Sequence, residues 1–578
     1  MRQNLKSRIW VSQGDNTYNF PEQAIDEVNQ KPPIGVCFSG GGTRAMTAAM
    51  GQLRALEHLG VIPKIRYISC VSGGSWASSI YTYYRAGAKN DAELLGPVTP
   101  AEKITDEHVV NGLKQTQLAY GATKSLNKVI PCSWELPKGW ICKTIMKKWK
   151  YSSHDVWNYA IGQTYLEPYG LFNSDIAKDR PDELPYFSYD ATTVDEIKAC
   201  NPKLQAKEFL TVRPGRPYLI MNACVLLRPK YHFLFPNAKD IQADLINFEY
   251  TPLTVGRPHL KTFQNRFYGG GFIEPFAYGG GVPVAAPLSP PCAESARKLN
   301  SAGWVDIPSP SRHYSLTETT GTSSSAFAES FLHYDVTRFN PKDFYWAVKG
   351  NGPYCGHKTL FGDGGLLENN GLIPLIQRGV KLAIVFINAA TKLDPTYCPN
   401  DDQHDDRNNP NGKCDATLPA LFGYSNPKWE WYYPHNQVFP SNEFRLVLDA
   451  LNQKRERNEP MIVTCQHTIC ENTDWGVNAR QEPMLVTWCY LDRYSKWEAQ
   501  LGSSKIRKQI KQGNKKYIPA CMKGPYLDFP NYKTIGQDGD FDLVKLTKEQ
   551  ITLLADFTCD AILMDEEQAI LTAIQQVG

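Results

Sequence analysis

Apolar positions gather in short blocks along the chain, set apart by glycine, proline and polar stretches. The first such block, Ile34 to Phe38 (IGVCF), is a continuous apolar run between a proline pair and a glycine triplet, which predicts a buried strand. Beyond the glycines, Met46, Met50, Leu53 and Leu56 recur at helical spacing until Gly60, so a helix comes next. A second strand pattern, KIRYIS, succeeds it. A strand, a helix and a strand in so short a span predict a right-handed crossover, which lays the two strands parallel with their C-terminal ends on one sheet edge. Open α/β sheets place their sites at that edge.

Farther on, Tyr218 to Leu227 (YLIMNACVLL) and Val380 to Ile387 (VKLAIVFI) are near-continuous apolar runs of the kind found in buried strands. The expected sheet therefore draws on most of the chain. Tyr268 to Gly281 (YGGGFIEPFAYGGG) and Val282 to Pro291 read as loops, and no internal repeat suggests a solenoid. Residues 1–31 are mixed and polar and read as an N-terminal arm laid over a domain that occupies residues 32–578.

Composition narrows the class. A chain of 578 residues with 62 basic and 59 acidic side chains carries a net charge of +3, too little for a global field that would attract nucleic acid. No stretch reaches the roughly 18 apolar residues of a membrane span, and Met1 to Glu22 lacks the apolar core of a secretory signal, so the expected compartment is the cytoplasm. Among the 15 cysteines, the pairs Cys132/Cys142, Cys398/Cys414 and Cys465/Cys470 suit local disulfides of an exported protein, whereas reduced thiols suit a cytoplasmic one. No CxxC appears, so a zinc site is not expected. Asp401 to Cys414 is rich in oxygen ligands but lacks the order of acids and glycine that a calcium-binding EF-hand needs, and reads as a solvated loop.

Gly40 to Ala45 (GGGTRA) satisfies the dinucleotide fingerprint GxGxxG/A after a strand and before a helix. Such a site also asks for an acid at the end of the second strand, to take the ribose hydroxyls. That strand ends in Ser69, Cys70, Val71 and Ser72, and the nearest acid, Glu57, lies inside the helix, so no nucleotide cofactor is expected. The second strand leads instead into SCVSGGSW. Cys70, Ser72 and Gly74 place a serine at a sharp turn between strand and helix with small residues two positions either side, the requirement of a nucleophile elbow. The alternative is a glycine-rich turn with incidental serines. The crossover brings the Gly40 to Gly42 loop to the edge that carries Ser72, where its backbone N–H groups can face the oxyanion formed when a serine attacks an ester. Between Arg44 and Ser72 there is room for one helix and one strand only, which fits an ordinary α/β-hydrolase poorly. Of the 11 histidines none stands in a recognisable spacing to Ser72. Asp363, in a glycine turn ahead of a buried strand, reads either as the base or as a simple turn residue.

SGGGTRAM, then SCVSGGSW at this separation, then DGGLLENNGLIPLIQRGVKLAIVF resemble the catalytic domain of cytosolic (group IV) phospholipase A2 and the related fungal phospholipase B enzymes. NFEYTPLTVG (Asn247 to Gly256), GTSSSAFAESF (Gly321 to Phe331) and FPNYKT (Phe529 to Thr534) look like the same family, so the resemblance runs in order over roughly residues 32–560. It implies a patatin-like, three-layer α/β/α fold with a mixed, largely parallel central sheet and a cap or lid inserted within 88–215. It also implies a serine–aspartate dyad without histidine: Ser72 as nucleophile, Asp363 as base, Gly41 and Gly42 as oxyanion donors, and Arg44 beside the substrate phosphate. Two positions depart from the family pattern. Cys70 replaces the usual glycine before the serine, and the turn after Asp363 is DGG, nearer to patatins.

The resemblance thus implies hydrolysis of fatty-acyl esters of glycerophospholipids through an acyl-enzyme, of phospholipase A2 type, with lysophospholipase, phospholipase B or transacylase activity and an impaired, lipid-binding protein as the alternatives. A monomer that meets a phospholipid membrane or micelle surface and needs neither metal nor calcium-binding domain is expected. Gly139 to Tyr151 (GWICKTIMKKWKY), with Trp140, Ile141, Ile145 and Trp149 near one helical face and lysines beside them, suits an anionic interface or, equally, a packed helix with a solvated edge.

Overall fold

A computed structural model describes residues 4–12, 20–85, 91–124, 153–227, 245–279, 281–283, 303–308, 314–325, 341–348, 355–399, 413–425, 433–515, 522–533 and 545–578. The Gly139 to Tyr151 stretch, most of Asp401 to Cys414, and Cys132 and Cys142 lie outside the described residues. The chain divides into two compact units. The first comprises Met1–Lys31, Thr82–Arg85 and Ile130–Leu367, the second Pro32–Tyr81, Ala86–Val129 and Glu368–Gly578.

In the second unit the predicted crossover is present. The strand Ile34–Phe38 (the loop strand) runs parallel to Tyr67–Val71 (the elbow strand), with Phe38 opposite Cys70. On its other side it runs parallel to Leu382–Ile387, with Phe38 opposite Phe386 and the two rings stacked at 5.5 Å. Next come Arg480–Tyr490, parallel, and Ile462–Ile469, antiparallel at the edge. Every residue of the three inner strands is buried, which is why they read as unbroken apolar runs rather than as alternation.

The helix after the glycine loop spans Gly42–His58 and is buried from Thr43 to Leu56. A single apolar stripe does not require burial all round; the helix Lys548–Leu563, near the end of the chain, supplies it. Thr558 donates its hydroxyl to the Ala48 carbonyl at 3.1 Å. Arg54 pairs with Asp556 at 2.6 Å, and the other oxygen of that carboxylate holds His108 at 2.7 Å, so the charge buried in the first helix is matched from the second.

In the first unit the strands pair antiparallel in the order Gly303–Pro308, Asn4–Val11, Gly271–Ile273, Val255–Arg257, Leu245–Tyr250, Tyr218–Leu226, Gly356–Asp363, Lys342–Trp346. Two of these arise in stretches that the sequence pattern reads as arm or loop. Asn4–Val11 lies within the polar N-terminal stretch, and its Arg8 is 2% exposed because Glu274 and Glu196 take its guanidinium at 2.6 and 2.7 Å. Gly271–Ile273 lies within the glycine-rich stretch expected to be loop, and pairs on both sides through main-chain bonds that need no side-chain pattern.

The α/β class and the mixed sheet are what the structure shows: three parallel pairs lie in the second unit, and in the first a separate short pair, Tyr186–Ser188 with Phe209–Thr211, is also parallel. Cys398, Cys414, Cys465 and Cys470 are free thiols, so the disulfides conceivable between them do not form, while Cys200 is disulfide-bonded. Among the described residues no helix is long and apolar enough to cross a membrane.

Candidate active site

Where the elbow strand gives way to the helix Gly73–Tyr83, Ser72 adopts φ 53°, the left-handed region that a side chain with a Cβ seldom occupies. The first turn of that helix holds the strain. The Ser72 carbonyl accepts the N–H groups of Ser75 and Trp76 at 2.9 and 3.3 Å, so the reversal is fixed by the helix it opens. A serine at positive φ between strand and helix is the backbone geometry of a nucleophile elbow, and Ser72 is 8% exposed.

Cys70, two residues before the serine, does not prevent that conformation. Its side chain is wholly buried and accepts the Ser75 hydroxyl at 3.4 Å. Burial pushes its thiol up to about 12, so it stays protonated and is no competing nucleophile at neutral pH.

The glycine loop lies against this turn. A Cβ at Gly73 would stand 2.7 Å from the carbonyl carbon and 2.8 Å from the nitrogen of Gly42, so only glycine permits the approach. Gly41 (φ 137°) and Gly42 (φ 56°) open the helix Gly42–His58, whose N-terminal end carries partial positive charge. Among the described residues neither amide has a hydrogen-bond acceptor, as donors awaiting an oxyanion require. On either side the loop is fastened. The Ser39 N–H donates to the Phe386 carbonyl at 3.2 Å and the Asn388 N–H to the Ser39 hydroxyl at 2.8 Å. Arg44 is 5% exposed and donates from Nε to the Asn388 carbonyl at 2.9 Å and from Nη1 to the Tyr532 carbonyl at 2.6 Å. Its guanidinium is thereby fixed beside Gly41, where a Cβ would lie 3.2 Å from Cζ.

Ser72, Gly41, Gly42 and Arg44 are therefore neighbours within the second unit. Asp363 belongs to the first unit, at the C-terminal end of the strand Gly356–Asp363, opposite Ala223. It is 2% exposed; Oδ1 accepts the Gly365 N–H at 2.7 Å, and its carbonyl accepts the Cys224 thiol at 3.3 Å. His357 of the same strand holds the Tyr268 hydroxyl at 3.1 Å and has a pKa lowered by burial, in keeping with a structural role.

The partners to which Arg44 and Ser39 fasten the loop carry no site signal of their own in the sequence. Asn388 comes after an apolar strand without any motif, and Tyr532 acts through its main chain. Glu368 and Asn369 did leave a signal, a polar ENN inside the apolar LLENNGLIPLI.

A glycine loop and a strained serine on one edge of a buried parallel sheet define the class of elbow-bearing α/β proteins. Comparison with known proteins narrows it. Over 98 residues the chain is 37% identical to cytosolic phospholipase A2 zeta of Homo sapiens, a match of 17% of this chain and 11% of the relative. It is 23% identical over 397 residues to lysophospholipase 2 of Candida albicans, covering 63% of this chain and 54% of the relative. Among solved structures, human GIVD cytosolic phospholipase A2 aligns with a TM-score of 0.46 at 13% identity, covering 96% of this chain and 63% of that one. No protein-family model matches. The chain is thus similar to cytosolic phospholipases A2 and a lysophospholipase, and the match spans from about a tenth to about half the length of these curated relatives.

Proposed function

We propose that the protein hydrolyses fatty-acyl esters of glycerophospholipids through Ser72 and an acyl-enzyme. The observation that carries the reading is the contact of two motifs: a serine held at positive φ and, against its neighbouring glycine, a loop with two amides that have no acceptor among the described residues. The Asp363 carboxylate takes the Ser72 proton as Oγ attacks the ester carbonyl, and the Gly41 and Gly42 amides hold the oxyanion. The proton then passes to the leaving alcohol, and water, deprotonated by the same carboxylate, releases the fatty acid. A carboxylate is a weak base at its unperturbed pKa of about 3.9, so the scheme depends on the dryness around a side chain as buried as Asp363. Arg44, its charge already oriented by two carbonyls, lies by the lipid phosphate. The reaction takes place at a phospholipid membrane or micelle surface.

Lysophospholipase or phospholipase B activity is the second reading, favoured by the lysophospholipase match over 63% of the chain. A fluorophosphonate probe tests the first premise: labelling of the wild type that disappears in Ser72→Ala supports it, and a folded wild type that takes no label refutes it. Phosphatidylcholine labelled separately on each acyl chain divides the two readings, since release of the sn-2 chain alone would count against phospholipase B. Near-normal turnover by Asp363→Asn would remove aspartate from the scheme.

A further inference from the structure

The N–H of Gly40, one residue before the two candidate oxyanion donors, is already committed. It donates to both the main-chain carbonyl and the side-chain Oδ1 of Asn369, each at 3.1 Å. Gly40 has no room for anything else: a Cβ there would lie 3.2 Å from Asn369 Cγ on one side and 3.0 Å from the Cβ of Ser72 on the other. Asn369, Gly40 and the candidate nucleophile are thus stacked in van der Waals contact, all within the second unit.

Asn369 is itself rigidly set. Glu368, 3% exposed, turns its carboxylate back on its own chain, accepting the N–H of Asn370 at 2.7 Å and of Leu372 at 3.0 Å. Asn370, fully buried, exchanges hydrogen bonds with Thr417 through both ends of its amide. The Gly371 carbonyl accepts the Cys37 thiol of the loop strand at 3.5 Å, and Gly371, at φ 76°, packs on the main chain of Ser69 in the elbow strand. The turn thus packs against both of the strands whose ends carry the loop and the serine.

We propose that Asn369, held by the Glu368 turn, is a positioning residue for acyl transfer: by gripping Gly40 it sets the distance of the Gly41 and Gly42 amides from Ser72. This rests on the function proposed for Ser72. Oxyanion donors work only within a few tenths of an ångström of the right place, and displacement by about 1 Å costs roughly a hundredfold in rate. A loop pinned only at Ser39 and Arg44 can rock about those two points; the Gly40 clamp between them removes that freedom.

Two isosteric variants separate the grip from the volume. Asn369→Leu fills the space and offers no side-chain acceptor, while Asn369→Asp still offers one to the Gly40 N–H. With a lysophospholipid substrate, Asn369→Leu should lose on the order of a hundredfold in kcat with KM within about threefold of wild type. Asn369→Asp should exceed Asn369→Leu at least about tenfold, and fluorophosphonate labelling of Ser72 should show the same order. Asn369→Ala, which adds no bulk, serves where Asn369→Leu does not fold, with the same expected loss. Labelling and kcat of the Leu or Ala variant within about twofold of wild type, or equal activity of the Leu and Asp variants, overturns the proposal and leaves the function reading intact. A wild type that takes no label at Ser72 overturns both.

Discussion

Gly73 is where the two motifs meet, and one methyl group there should separate activity from folding. In Gly73→Ala the new Cβ would stand 2.7 Å from the carbonyl carbon of Gly42 and 2.8 Å from its nitrogen, both main-chain atoms that no rotamer change can move. The Gly42 carbonyl oxygen is nearer still to the new Cβ; comfortable contacts need more than about 3 Å, so the loop has to retreat, or the elbow to open, by about 1 Å. The folding cost is that of a modest overpacking, about 1–3 kcal/mol. Activity should suffer in the protein that still folds, because Gly42 is a candidate oxyanion donor: the expected loss in kcat is about a hundredfold, equal to about 3 kcal/mol of transition-state stabilisation. Gly60→Ala is the control. Gly60 also needs positive φ, at 66°, but a Cβ there meets nothing within 4 Å, so it should cost about 1 kcal/mol of stability and leave turnover unchanged. The assays are urea unfolding for stability, and lysophospholipid hydrolysis with the rate of fluorophosphonate labelling for the site. Labelling of Gly73→Ala within about threefold of wild type would refute the contact as the source of oxyanion geometry.

Three further outcomes are expected. Cys70→Gly should keep fluorophosphonate labelling while losing about 2 kcal/mol in urea unfolding, since a buried thiol is lost from a central strand; loss of labelling with the fold intact would show that the thiol takes part in the chemistry. Burial lifts the Glu368 carboxyl from its ordinary 4.5 to about 7, against backbone N–H bonds that favour the charged form. Between those values the folded chain binds the proton and the unfolded chain does not, so stability should fall as pH rises through that window, by about 3 kcal/mol in all. Glu368→Gln should flatten that part of the profile, and an unchanged slope would mean that another group titrates. Asp556→Asn leaves Arg54, 6% exposed, without its counter-charge and should cost about 3–5 kcal/mol in unfolding free energy; a loss below about 1 kcal/mol would show that Arg54 finds another partner or water.

The parts of the fold and the candidate site that were legible in the sequence are the local ones. The loop strand, its helix and the elbow are contiguous, and their apolar spacing and glycines carry the whole pattern within one crossover. The missing parts depend on partners far away in the chain. Arg8 looked like one residue of a polar arm laid over the domain because Glu274, which neutralises it, is 266 positions away. The helix Gly42–His58 looked one-sided because the helix that covers its other face is the chain's penultimate one. Asn369 had no role of its own in the sequence because its acceptors serve Gly40, 329 positions earlier.

The glycines show the same limit most directly. Taken singly, SGGGTR and VSGG are each compatible with a generic turn, and one satisfied a nucleotide fingerprint. Gly73 must be glycine because of Gly42, and Gly40 because of Ser72 and Asn369. Each motif therefore explains glycines in the other, a mutual requirement that a dinucleotide loop beside an incidental serine would not impose. That constraint is what turns the first loop from a possible phosphate cradle into the candidate partner of a nucleophile.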